Sequence, residues 1–227
     1  MKEHPIIFNG EMVRAILDGR KTQTRRQVKD YQQPKLDGDG EWFSIAQRDP
    51  RWGFGVSGKS ENECANNLAE SGCCPFGRIG DRLWVRETWR QFSSSDECGC
   101  SESPCNCPRN GTFLFKASHD DSESKWKPSI HMPRSACRII LEITNVRVER
   151  LQDISEQDAC AEGVSQLHGG FWKHYQPGWT QHQLSARGSF VTLWSSIYGA
   201  DFWSSNPWVW VIEFKVLTTN GVIGEAA

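Results

Sequence analysis

The feature that most constrains the fold is the run CRIILEITNVRVERL, Cys137 to Leu151, rich in β-branched residues and alternating roughly by twos. Such a run reads as a long central strand or a bent pair of strands. A second apolar run, NPWVWVIEFKVL, closes the ordered part of the chain and reads the same way. Helical signals are fewer and shorter. In GEMVRAILDG, Met12, Val13, Ile16 and Leu17 share one face and Gly19 follows the end. In SEQDACAEG, Ser155 stands as the cap, Asp158 at the capping-box position and Gly163 just past the end. In SARGSFVTLWSSIYG, Phe190, Leu193, Trp194 and Ile197 recur at helical spacing and Gly199 stops the run. These elements do not alternate as βαβ units, which argues against a doubly wound parallel sheet. The expected class is α+β: a small β-barrel or curled sheet with short helices packed against it and irregular insertions.

GDRLWVRETW and TFLFKA add two shorter strand signals. Three polar stretches, at about 30–72, 92–111 and 165–185, read as irregular insertions into a single domain spanning 1–217. Residues 218–227 read as a flexible tail.

Composition narrows the function classes. Among 227 residues, 26 basic side chains face 28 acidic ones, so any nucleic-acid contact must be a local patch. There is no apolar run long enough for a membrane helix, and the opening MKEHPIIFNG lacks the pattern of a signal peptide. A cytoplasmic location is expected. Nine cysteines, an odd number without an export signal, argue against a disulfide framework. Four of them, Cys98, Cys100, Cys105 and Cys107 in CGCSESPCNC, have the composition of a zinc-folded knuckle, although C-x-C pairs are tighter than the usual C-x2-C. The alternative is a loop of free thiols in a reducing cell.

The stretch DGRKTQTRR sets Lys21 three residues ahead of Thr24 among Arg20, Arg25 and Arg26. A threonine hydroxyl acts as a nucleophile only with a base in hydrogen-bond reach. Lys21 serves as that base only if burial and neighbouring cations push its pKa down. In an extended strand positions 21 and 24 point to opposite faces, so catalysis asks for a turn. The bland alternative is a solvated or phosphate-facing patch. Glu162, at a helix end, meets the negative end of the helix dipole and needs a partner such as Lys21 or Arg86, unless it is simply exposed. In GDRLWVRETW a strand sets Arg82, Trp84 and Arg86 on one face, an aromatic between two cations, as base stacking with phosphate gripping requires. The alternative puts Trp84 in the core. His131 and Arg134 flank Pro133 in SIHMPRS, as pocket-wall or ordinary surface residues. Trp172, Tyr175 and Trp179 either stack bases or pin the third insertion down.

ILDGRKTQTRR, GDRLWVRETW, DISEQDACAEGV and VWVIEFKVL, in that order, resemble the ASCH domain family, which has a PUA-like β-barrel. With KPSIHMPR, Lys127 to Arg134, the chain is similar to the larger ASCH proteins of phages and prophages. The matching segments are roughly 5–29, 73–91, 112–164 and 186–217. The resemblance implies binding of RNA or a modified nucleoside, in a host cytoplasm if the gene is a phage's. One small bacterial branch removes the acetyl group of 4-acetylcytidine with a lysine, a threonine three residues later and a glutamate on the helix after the long strand. By motif these fall on Lys21, Thr24 and Glu162, with Arg25, Arg86 and His131 completing a pocket. That hydrolysis requires no cofactor. This chain is about twice the length of that branch, and its insertions bear on any shared pocket. The other readings are a non-catalytic RNA-binding module and a phage interaction protein with a zinc-stabilised insertion. Oligomeric state is not read from the sequence.

Overall fold

A computed structural model describes residues 1–47, 54–100, 105–119 and 124–221. The strands are β1 (Glu3–Ile7), β2 (Gln23–Gln27), β3 (Lys35–Leu36), β4 (Trp42–Ile45), β5 (Gly55–Gly58), β6 (Arg82–Arg86), β7 (Trp89–Gln91), β8 (Phe113–Phe115), β9 (Ile140–Arg150) and β10 (Trp208–Thr218). The helices are α1 (Gly10–Leu17), α2 (Glu61–Glu70), α3 (Ser94–Glu97), α4 (Glu156–Ala161), α5 (Ala186–Tyr198) and α6 (Ala200–Ser204). The fold is mixed α+β, with the two long apolar runs as adjacent antiparallel strands at the heart of a five-stranded sheet, ordered β1-β6-β9-β10-β2. Only β1 and β6 run parallel; the other ladders of this sheet are antiparallel.

Burial on both faces explains the unbroken hydrophobicity of the first half of β10, Trp208 to Ile212. Trp208, Trp210, Ile212 and Phe214 enter the main core, while Val209 and Val211 enter a second core under α4 and α5. A strand covered on both faces needs apolar residues at every position rather than at alternate ones. Side-chain caps open α1, α4 and α5. The Asn9 side chain accepts from Met12 N at α1, Ser155 from Asp158 N at α4 and Ser185 from Gly188 N at α5.

The ladder of the main sheet does not close into a barrel among the described residues; β1 and β2 stand at its two ends. A side chain links these ends: Arg26 Nη2 donates to the Ile7 carbonyl at 2.9 Å.

The first insertion departs from the irregular reading. It carries a three-stranded sheet, β3-β4-β5, and helix α2. Strands of two to four residues offer too little alternation to read. Helix α2 does carry a signal: the Ser60 hydroxyl accepts from Glu63 N, Glu63 Oε2 accepts from Lys59 N, and Cys64 and Leu68 bury at i and i+4. The second insertion holds α3 within the β7–β8 hairpin. The third contains no α-helix or strand, but bridges join Trp172 to Gln166 and Gln183. At the other end of the chain, Thr218 is the buried last residue of β10, and Gly221 N donates to the Arg138 carbonyl. The rest of the expected tail, 222–227, lies outside the described residues. Among the described residues no helix is long and apolar enough to cross a membrane.

Candidate functional site

The basic stretch after α1 turns inward. Lys21 pairs its backbone with Glu162 in an isolated antiparallel bridge, and β2 begins two residues later. Lys21 is fully buried and Glu162 is 3% exposed. Lys21 Nζ donates to Glu162 Oε2 and to the Glu162 carbonyl, each at 2.8 Å. Arg25 Nη1 donates to the other carboxylate oxygen at 3.1 Å. Arg25, itself buried, also pairs with Glu149, and lies 3.6 Å from Asp158. Glu162 thus neutralises two buried cations and offsets the unfavourable helix end that it occupies. Burial pushes the Lys21 ammonium below the ordinary lysine range; Glu162 opposes the shift, and Arg26 and Arg25 reinforce it.

Thr24 is fully buried too, and its Oγ1 has no hydrogen-bond partner. The ladder with β10 sets Thr24 opposite Ile212, in the main core, and Arg25 opposite Val211, under α4 and α5. Directly opposed residues share a face, so Thr24 points away from the face on which Arg25 meets Glu162. Lys21 and Glu162 converge; Thr24 makes no hydrogen bond to either. The cleft alongside, about 410 Å³, is lined by Thr22, Gln23, Ser155, Asp158, Ala161 and Glu213. It therefore runs past the backbone of the buried group.

The other cations of the basic stretch are spent within the fold. Arg20 donates to the Gly163 carbonyl at 2.6 Å and pairs with Asp18. Arg26 bonds the carbonyls of Ile7 and Arg25 and lies over the Phe8 ring. What reads in sequence as a phosphate grip is a set of internal ties.

Strand β6 presents the opposite case. Leu83 and Val85 are buried in the main core, while Arg82, Trp84 and Arg86 stand half-buried on the outer face. The Arg86 guanidinium lies 5.4 Å from the Trp84 ring centroid. Arg82 sits between Glu3 and Glu142 across the ladders, yet those carboxylates bond instead to Arg134 and Lys215. Nε of Arg82 and Nε of Arg86 are buried without a partner, and neither side chain forms an ion pair among the described residues. Trp84 meets both sequence readings, since its inner edge packs on the small core formed by Trp89, Phe115, Met132 and Ile140. Arg134 is a surface partner of Glu3, and His131 is exposed on a 3-10 turn. Trp172 and Tyr175 pack on the second core, whereas Trp179 is exposed and stacked on His174.

The four insertion cysteines come together, with all four Sγ atoms within 4.8 Å of one another, close enough to hold a metal ion. Comparison with known proteins adds nothing to the geometry: no family model, curated protein or solved structure matches the chain.

Proposed function

We propose that this chain is an ASCH-like protein, with a PUA-like curled sheet, that binds RNA or a modified nucleoside across the outer face of β6. The observation that carries the reading is that Arg82, Trp84 and Arg86 share one face of β6, with the Arg86 guanidinium over the Trp84 ring and neither arginine in an ion pair among the described residues. An arginine left unpaired while its neighbours' carboxylates serve other cations is available to a phosphate. The ring supplies a surface on which a base stacks. Single-stranded RNA is the expected ligand, because only unpaired bases offer such faces. In binding titrations over a range of salt, Arg82→Ala combined with Arg86→Ala is expected to weaken binding and to flatten the salt slope by roughly 0.7 for each phosphate that the two arginines neutralise. An unchanged slope, or no RNA binding by the wild type at low salt, would sink the reading.

One observation favours a second reading, hydrolysis of an N-acyl group on a nucleobase. A buried hydroxyl without a partner, Thr24, sits three residues from a buried lysine whose pKa burial has lowered. Unsatisfied buried groups and perturbed lysines mark catalytic sites more than ordinary cores. In this chemistry Thr24 Oγ1 attacks the acyl carbon and Lys21 takes its proton. Glu162 first takes the Lys21 ammonium proton, which makes Lys21 a base, and later passes it to the nucleobase nitrogen, so the amine leaves protonated and water then releases the acid. Lys21 must first give up its bond to Glu162 and turn toward Thr24. Thr24→Val removes the hydroxyl at constant shape and leaves no hydrogen bond broken, so it is expected to fold as the wild type does while turnover of 4-acetylcytidine falls to background. Turnover that survives in the valine variant, or none in the wild type, removes this reading and leaves the binding one intact.

The clustered cysteines support a structural zinc ion, and neither reading draws on it for chemistry.

A further inference from the structure

The cysteine loop carries an inference that rests on the zinc reading and extends it. Two close sulfur approaches run across the loop, from one C-x-C pair to the other. Cys98 Sγ lies 3.4 Å from Cys105 Sγ, and Cys100 Sγ lies 3.3 Å from Cys107 Sγ. Four thiolates around a zinc ion at about 2.3 Å are separated by about 3.8 Å from one another, so the cluster is already near tetrahedral spacing. Each of the two cross-loop approaches is also within a short closure of the disulfide length of about 2.05 Å.

The fold holds this grouping from outside the loop. Cys98 directly follows α3, whose Glu97 pairs with Arg90 of β7 and accepts from Ser93 N. Ser94 N donates to the Asn110 side chain on the returning limb. The four thiols are exposed or half-exposed, whereas Cys64, Cys73, Cys74 and Cys137 are buried. Cys160 is exposed as well, but desolvation and the neighbouring Glu156 push its thiol pKa up. A small oxidant therefore reaches the loop and Cys160 before the buried thiols, and zinc-held thiolates are the more reactive of the two.

We propose that the loop is a zinc-thiolate site that exchanges its metal for two disulfides, Cys98–Cys105 and Cys100–Cys107, when a peroxide oxidises it. Each pair of thiolates gives up two electrons and forms one sulfur–sulfur bond. Two peroxide molecules accept the four electrons, take up four protons from solvent and leave as water, and zinc departs as the dication.

The test uses the full chain, purified reduced and under nitrogen, with hydrogen peroxide as the oxidant and a zinc-binding dye as the readout. The reduced chain is expected to carry about one equivalent of zinc, and peroxide to release it in step with the loss of four free thiols. After chelation, the variant Cys98→Ser with Cys105→Ser should close its remaining pair several-fold faster than Cys98→Ser with Cys107→Ser. Less than about a tenth of an equivalent of zinc in the reduced chain overturns the zinc reading and the exchange with it. Zinc retained through oxidation, sulfinic acids in place of disulfides, or equal closure rates in the two variants overturn the exchange alone.

Discussion

Replacing Glu162 by alanine is expected to destabilise the protein by about 3–5 kcal/mol, measured by urea unfolding. Two cations converge on that carboxylate, Lys21 at 2.8 Å and Arg25 at 3.1 Å, and both are shut away from water. Removing the shared anion leaves Lys21 buried and uncompensated, a state far costlier than the loss of one surface ion pair. Arg25 is better protected, since Glu149 and Asp158 remain beside it. The asymmetry gives a sharper expectation. Lys21→Met should cost less than Glu162→Ala, because Glu162 keeps Arg25 as its partner. The double variant, Lys21→Met with Glu162→Ala, should recover part of the single-site loss, because it removes the stranded ammonium. A Glu162→Ala variant within about 1 kcal/mol of the wild type would show that water or another anion reaches the group, and the buried cluster would no longer explain the local fold.

This cluster also shows how far the sequence could be read. Periodicity locates α1, α5 and the two long strands, because each has enough residues on a buried face to leave a pattern, while α4, with only Ala159 buried, is located by its Ser155 cap and closing Gly163. A partner for Glu162 is legible too, from the cost of a carboxylate at a helix end. Of the two expected cations Lys21 fills the role, and Arg25 rather than Arg86 joins it. The fate of Arg20, Arg25 and Arg26 is not legible. Their carbonyl and carboxylate acceptors lie as far as 143 residues away along the chain, and no local pattern encodes such distances. For β6 the spacing puts Arg82, Trp84 and Arg86 on one face, which the burial pattern shows, but it says nothing of Arg134 and Lys215 drawing off the nearby carboxylates. The short strands β3, β4 and β5 escape for a different reason. A two-residue strand such as Lys35–Leu36 is held by its neighbours' backbone and carries no periodicity of its own.

Gly163→Ala is expected to cost about 2–5 kcal/mol, the sum of a backbone and a packing penalty. Gly163 has φ +88°, in the region that a Cβ disfavours. A methyl group there would also lie 2.7 Å from Lys21 Cβ and 2.8 Å from Ala15 Cβ. Both are stem atoms fixed by the backbone of α1 and of the Lys21 bridge, so neither can swing aside as a side-chain tip would. The glycine is what lets the end of α4 approach the α1–β2 connection closely enough for Glu162 to reach Lys21. Gly19→Ala separates the two penalties. Gly19 has φ +72°, and a Cβ there would meet nothing within 4 Å, so its substitution should cost only the backbone part, about 1–2 kcal/mol. The difference between the two variants therefore measures the crowding at Gly163. Equal losses for both would mean that the helix end yields freely, and that the close approach of Glu162 to Lys21 does not depend on a missing side chain. A larger loss at Gly163, accompanied by a smaller effect of Glu162→Ala in the Gly163→Ala background, would tie the glycine and the ion pair to one structural event.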